Sequence, residues 1–437
     1  MPPKKKKVTR GEKSTSASIT SKKIIYLDNN GTTKICTPAK NAMIKWLGCM
    51  SNPSSDSKIS VNAISMINDA KKYVQTHCSA PKYSVIFTSG SSESNCLIII
   101  SCAESYAKLK KKKPHIITST IEHKSIIKCC KKLISCGHAD ITFIDPLSTG
   151  VISTELVKKA IRPNTCLITI MSANNEIGSI NPISEIGKMA HRKNIPFHTD
   201  TVQTFGKYKM NLPNNCIDAI SVSFHKLYGP MGIGMLIINN ELIAGYELDG
   251  QIAGTQHNGL RGGTENVPAI AGAVEAIKHT FINRDTKNKH LIKMRNSVIM
   301  SLSKLYTEVE YKDCFNPKNI PDFCFVVLGS DIASQAAPNT LLISFVAKNK
   351  KFCNVDLKNA LNKHNVIVSI GSACNTKSIT ASHVINAIRA PDIVKKGIIR
   401  ISFGDNNTMK EIALFNKILV KCITLQISKK GFFTESK

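Results

Sequence analysis

Between Ile24 and about Leu236, short apolar runs alternate with longer stretches of helical spacing. The runs are VIFT (Val85–Thr88), HIITST (His115–Thr120), LITIMS (Leu167–Ser172), IPFHTD (Ile195–Asp200), AISVSF (Ala219–Phe224) and GMLII (Gly234–Ile238). They are near-continuously apolar rather than strictly alternating, as expected of strands covered on both faces. Segments such as Ile183–Lys193, after Pro182, supply helices between them. Strand–helix alternation of this kind predicts an open, mostly parallel α/β sheet. Such sheets bind ligands beyond the carboxyl ends of their strands, so the polar residues after each run are the candidates for chemistry. After about Phe281 the pattern changes to a long helix over Lys287–Lys304 and then a looser α+β order, which predicts a second, smaller domain. Residues 312–340 are rich in Pro, Asn and Asp and read as loop.

Composition changes this picture little, whereas charge adds to it. The chain has 437 residues, 42% hydrophobic and 20% charged, which suits a folded protein with a large core. Lys plus Arg number 59 against 30 Asp plus Glu, a formal net of +29. Residues 1–22 are polar and rich in Lys, Ser and Thr, and so predict a disordered basic tail. Their PPKKKKV run resembles a nuclear-import signal, which sets a possible nuclear location beside a cytoplasmic one. The remaining cations are interspersed with acids, apart from a run at Lys108–Lys113 broken only by Leu109. Fifteen cysteines without C-x-x-C pairs and no apolar leader predict thiols in a reducing compartment. No apolar stretch approaches the roughly 20 residues of a membrane span.

Three strand ends carry candidate chemistry. Ser89-Gly90-Ser91-Ser92 follows an apolar run and opens a helical one, where a tight turn and free N–H groups suit a phosphate. A simple Ser-rich helix cap is the alternative at this point. Asp200 ends a buried strand, a costly place for a carboxylate without a positive partner. Lys226 closes the next strand, where burial lowers an amine's pKa and favours covalent bonding to a carbonyl. A phosphate cradle, a carboxylate for a protonated ring nitrogen and a lysine together suit pyridoxal 5′-phosphate, although an internal Asp–Lys ion pair would also explain the last two.

In order along the chain stand YLDNNGTT (Tyr26–Thr33), FTSGSSESN (Phe87–Asn95), TSTIEHKS (Thr118–Ser125), NNEIG (Asn174–Gly178) and HTDTVQ (His198–Gln203). SFHKLYGPMGIG (Ser223–Gly234), RGGTEN (Arg261–Asn266), SIGSAC (Ser369–Cys374) and IRISFG (Ile399–Gly404) follow. Together these motifs resemble the NifS/IscS-type cysteine desulfurases of the class V aminotransferase group. The resemblance implies a type I pyridoxal-phosphate transferase fold. Its large domain has a mostly parallel mixed sheet sandwiched by helices, joined to a smaller α+β C-terminal domain. The expected divisions are the tail at 1–22, a segment at 23–35 packing with the small domain, a cofactor domain at 36–283 and a small domain at 284–437.

The resemblance also assigns roles. Lys226 holds the cofactor and moves protons at the substrate α-carbon; Asp200 pairs with the ring nitrogen; His123 stacks on the ring and serves acid–base steps. Asn175 and Gln203 bond the ring's phenolic oxygen. Ser91, Ser92, Ser223 and His225 hold the phosphate, joined by Thr264 from the second subunit of a homodimer. Asn175 also faces the substrate, whose carboxylate Arg400 clamps. Cys374 is the nucleophile that takes sulfur from L-cysteine as a persulfide, leaving L-alanine, on a stretch to Ser382 that matches the family's extended active-site loop. The sulfur then passes to an acceptor, such as an iron–sulfur scaffold protein or the tRNA-thiolation machinery. Departures are small: Ser91-Ser92 replace Ala or Gly followed by Thr, and Gly31 replaces a commoner Ala. A selenocysteine lyase, and a basic protein using this fold as a nucleic-acid scaffold, are the alternatives. Binding of tRNA or other nucleic acid through the basic surface is a further expectation, and no metal site is expected from Cys129, Cys130, Cys136 and His138.

Overall fold

The structure is a computed structural model that describes residues 23–330, 332–348, 352–370 and 382–429. The chain enters through β1 (Ile25–Tyr26), α1 (Thr37–Leu47) and α2 (Val61–His77). The central unit follows as β2 (Tyr83–Thr88), α3 (Ser91–Lys110), β3 (His115–Ser119), α4 (Lys124–Ser135), β4 (Asp140–Ile144), α5 (Thr154–Lys159), β5 (Thr165–Thr169), α6 (Ile183–His191), β6 (Phe197–Asp200), β7 (Ala219–Ser223) and β8 (Gly234–Asn239).

These strands form one seven-stranded sheet in the order β2-β8-β7-β6-β5-β3-β4. Every pairing is parallel except those of β8, which runs antiparallel to both β2 and β7. All residues of β3, β5, β6 and β7 are buried, which is why their sequences carry no alternation. Leu97, Ile98, Ile126 and Leu133 of α3 and α4 build one apolar layer, and α2, α6 and the later α8 (Val267–Phe281) contribute to another. The edge strand β4, DITFI, is mostly half-exposed, its short ITFI run lying between Asp140 and Asp145.

Past α7 (Asn240–Tyr246), α8 and α9 (Arg284–Ser303) comes a second sheet. Its strands are β9 (Thr307–Glu308), β10 (Phe323–Leu328), β11 (Thr340–Ala347) and, beyond β12 (Val366–Ile367), β13 (Ile398–Ser402), in the order β13-β11-β10-β9. β1 pairs in parallel with β12, which carries the start of the chain onto this later region. The loop reading of 312–340 is corrected: FCFVVL forms β10, with Cys324, Phe325 and Val326 fully buried. Pro321, Asp322 and Gly329 flank it closely, and these turn formers hid a six-residue strand. No helix among the described residues is long and apolar enough to cross a membrane.

Candidate active site

The site is assembled at the carboxyl ends of the central strands. β2 ends at Thr88, whose hydroxyl lies 2.9 Å from that of Ser94 and pins the turn that starts α3. Gly234, opening β8, passes close beneath this turn: a Cβ there would lie 2.6 Å from the Gly90 Cα. A side chain at 234 would therefore push the turn out of place. The first turn of α3 leaves N–H groups without intrahelical partners. The serines Ser91 and Ser92 line a cleft of about 600 Å³ together with His123, Asn175, Asp200, Gln203, Ser223, His225 and Lys226. Nine of the positions expected from sequence thus meet in one concavity of ligand size.

Asp200, at the end of β6, is 4% exposed. Asn95 Nδ2 donates to its Oδ2 at 2.9 Å and the Val202 N–H to its Oδ1 at 3.0 Å. Burial raises its pKa, opposed by those two bonds, and it forms no salt bridge among the described residues. Lys226 follows β7 on a single 3-10 turn, Phe224–Lys226. Its Nζ donates to the Asn30 carbonyl at 2.6 Å and to the Gly31 carbonyl. Burial, then the nearby Arg400, lowers its pKa to about 8, against the pull of Asp28 and Asp200. His225, beside it, is lowered to about 4 by burial and by Lys226, and its Nδ1 lies 3.1 Å from the Thr32 hydroxyl. His123 caps α4, its Nδ1 accepting from the Ser125 N–H at 3.2 Å. Burial, and then Lys226 and His383 against Asp200, keep its pKa low, so the ring is neutral at pH 7.

Arg400, on β13, does not line the cleft but adjoins it. Its Nη2 donates to Asp28 Oδ1 at 2.6 Å and its Nη1 to the Asn175 carbonyl at 3.0 Å, while Nε has no partner. Thr264 is exposed on the segment before α8 and stands apart from the cleft of its own chain. Cys374 lies outside the described residues.

Four participants were not singled out in the sequence. Asn95 holds Asp200 and also donates to the Ser125 hydroxyl at 3.1 Å. Asp28 engages Arg400 from 372 residues away. Glu122 is fully buried beside His123 and accepts from Ser119 Oγ at 2.6 Å and from the Met171 N–H at 2.9 Å, with Oε2 unpartnered. Burial pushes its pKa up to about 8. His383 Nε2 donates to the Glu122 carbonyl at 3.0 Å. Asp28, Asn95 and Glu122 had a sequence signal, their places inside the YLDNNGTT, FTSGSSESN and TSTIEHKS motifs, and His383 had none.

The residues fit a pyridoxal phosphate. A buried carboxylate without a cationic partner needs one, and a protonated ring nitrogen supplies it. A hydroxyl-lined helix N-terminus answers the phosphate. A lysine amine whose pKa is lowered by burial answers the aldehyde.

Residues 25–415 match the family described as Aminotransferase class-V. The chain belongs to that family, whose members depend on pyridoxal 5′-phosphate. Its relatives include the cysteine desulfurase IscS of Clostridium botulinum, strain Hall, at 34% identity over 403 residues, 92% of this chain and 94% of that one. A putative cysteine desulfurase, IscS 1, of Bacillus subtilis is 34% identical over 390 residues, covering 89% and 95%. Among solved structures, a NifS-like protein superposes with a TM-score of 0.79 at 29% identity, covering 92% of this chain and all of the other. A NifS-like protein of Rickettsia africae gives 0.75 at 26%, with 92% and 100% covered. The type I fold expected from sequence is the fold observed.

Proposed function

We propose that the chain is a pyridoxal-phosphate-dependent cysteine desulfurase that converts L-cysteine to L-alanine and mobilises its sulfur for iron–sulfur cluster assembly. The observation that carries this is the meeting of Lys226, Asp200 and His123 in one cleft of a chain that matches cysteine desulfurases over nine-tenths of its length. When bound, the cofactor supplies an electron sink for charge developing at the substrate α-carbon. Around it the protein's own groups work as follows. Asp200 would hold a proton on the ring nitrogen. The carbonyls of Asn30 and Gly31 orient the Lys226 amine, which at a pKa near 8 exchanges protons readily around neutral pH and moves one at the α-carbon. His123, which lines the same cleft, would stack on the ring and serve to relay a proton. Ser91, Ser92, Ser223 and His225 take the phosphate.

Arg400 and Asn175 orient the substrate, the guanidinium turning unused donors to its carboxylate. Cys374, as a thiolate, takes the sulfur: an S–S bond forms at Cys374, the substrate Cβ–S bond breaks, and the β-carbon takes a proton to give alanine. Two further features belong to this reading. Thr264 serves the cleft of a second copy, and the exposed Ile44, Leu47 and Met50 of α1 and its flank supply apolar surface for a homodimer. Free thiols at all described cysteines suit a reducing cytoplasm, and a division into domains at 36–283 and 284–437 is part of the same reading, supported by the presence of separate seven- and four-stranded sheets among the described residues.

The test is alanine formation from cysteine by holoenzyme. Lys226→Ala should lower the rate at least about 1,000-fold. Cys374→Ala should abolish protein-bound persulfide. Wild-type turnover in either variant contradicts the reading.

A further inference from the structure

Three segments that lead into central strands share one composition. Residues 108–114 read KLKKKKP before β3, residues 158–164 read KKAIRPN before β5, and residues 192–196 read RKNIP before β6. None holds an acidic residue. β3, β5 and β6 are consecutive in the sheet, with β5 in the middle, so the three segments lie side by side at its amino-terminal end. That end is opposite the one bearing Asp200 and Lys226. Hydrogen bonds hold the segments in register. The His115 N–H donates to the Asn164 carbonyl at 2.9 Å, Ile168 N–H to the Pro196 carbonyl at 3.0 Å, and Asn164 Nδ2 to the Lys113 carbonyl at 2.8 Å.

A cleft of about 650 Å³ opens among them, walled by Lys110, Arg162, Lys193 and the rings of Tyr106 and Tyr246, with no carboxylate in its lining. Tyr246 is fixed by its hydroxyl, which donates to the Cys166 carbonyl at 3.2 Å. Of the surrounding cations, Lys113 pairs with Asp140 at 2.7 Å and Lys108 with Glu247 at 3.3 Å. Lys110, Arg162 and Lys193 form no ion pair among the described residues, and Arg162 reaches only the Thr142 hydroxyl, at 3.3 Å. Cations at helix C-termini complement helix dipoles. Lys110, Arg162 and Lys193 stand one apiece at or just past the ends of α3, α5 and α6, so the dipoles account for each singly; they do not account for the convergence of all three on one cleft without a carboxylate.

We propose that this cleft binds the phosphate backbone of a single-stranded nucleic acid, its three free cations taking phosphates and its tyrosine rings lying against a base. Counterion release favours such contacts, and base–aromatic stacking adds to them without demanding a sequence. An acidic protein is the weaker occupant. Protein interfaces need an apolar centre and are depleted in lysine, and Leu109, 39% exposed, is the cleft's only large exposed apolar side chain among the described residues.

The test is fluorescence anisotropy of holoenzyme with labelled single-stranded RNA and DNA of about 20 nucleotides, a duplex of equal length and poly-glutamate of matched charge. Combining Lys110→Glu, Arg162→Glu and Lys193→Glu should weaken single-strand binding at least about tenfold at about 0.1 M salt. It should also flatten the slope of log K against log salt by about two. Alanine formation should stay at the wild-type rate, which shows that the fold is intact. Unchanged affinity in the triple variant overturns the proposal, as does loss of binding on deleting residues 1–22 alone. So does equal affinity for poly-glutamate, or tighter binding of the duplex.

Discussion

At the carboxyl ends of β5, β6 and β7, ionisable groups are buried and each meets polar partners; at the amino ends of β3, β5 and β6, the exposed Lys110, Arg162 and Lys193 wall a cleft whose lining holds no carboxylate. Both ends belong to one sheet and one chain. In the first, burial moves the pKa of Lys226 and Glu122 toward neutrality, each to about 8. In the second, solvent screens the exposed charges, while His115, buried at the start of β3, is lowered to about 4 by burial and then by Arg162. Single substitutions should therefore be severe at one end. At the other they should be mild, roughly additive and dependent on salt.

The contrast sharpens first at Asp200. Asp200→Asn keeps the volume but removes the charge facing a ring nitrogen, and alanine formation should fall about 100-fold or more, while cofactor absorbance persists at a changed pH dependence. Retained activity would mean that the buried carboxylate is only structural. Arg400→Lys comes next. A lysine cannot reproduce the fork that meets both Asp28 and Asn175, so KM for cysteine should rise about tenfold, with a smaller change in kcat. An unchanged KM would remove Arg400 from substrate binding.

The smallest effect is on stability. In the folded chain Glu122 titrates at about 8, against a model-peptide value of 4.5. Between those values the fold keeps a proton that the unfolded chain has released. The stabilisation is complete below pH 4.5 and is lost as pH rises towards 8. Glu122→Gln should reduce the fall in Tm over this window by about one proton's worth of linkage. His198 acts in the opposite direction. It is buried between Thr169 and Ser221 and held down to about 3, so its contribution is complete above pH 6.5 and is lost as pH falls.

Much of this was legible in the sequence, for physical reasons. Runs such as LITIMS and AISVSF declared strands buried on both faces, and the polar residues after them, Asp200 and Lys226 above all, fell at the strand ends where such sheets bind ligands. β4 escaped because its ITFI run is short and only half buried at the sheet edge, and β10 because Pro321 and Gly329 bracket it with turn formers. Asn95 and Asp28 stood inside quoted motifs, but their roles escaped because those are defined by what they touch across the fold. A carboxylate 372 residues from its arginine leaves no local pattern. The basic end was half legible. The run Lys108–Lys113 was visible, but only the strand order brings it beside Arg162 and Lys193.

The central claim, that chemistry at the carboxyl end of the sheet delivers cysteine sulfur to one thiol, is tested most directly by incubating the holoenzyme with sulfur-labelled cysteine and mapping the label by peptide mass spectrometry. The account predicts one persulfide, on Cys374, formed in step with alanine and absent from Lys226→Ala. Label on another thiol, such as the exposed Cys49 or Cys136, or alanine formed with no labelled cysteine, would contradict it.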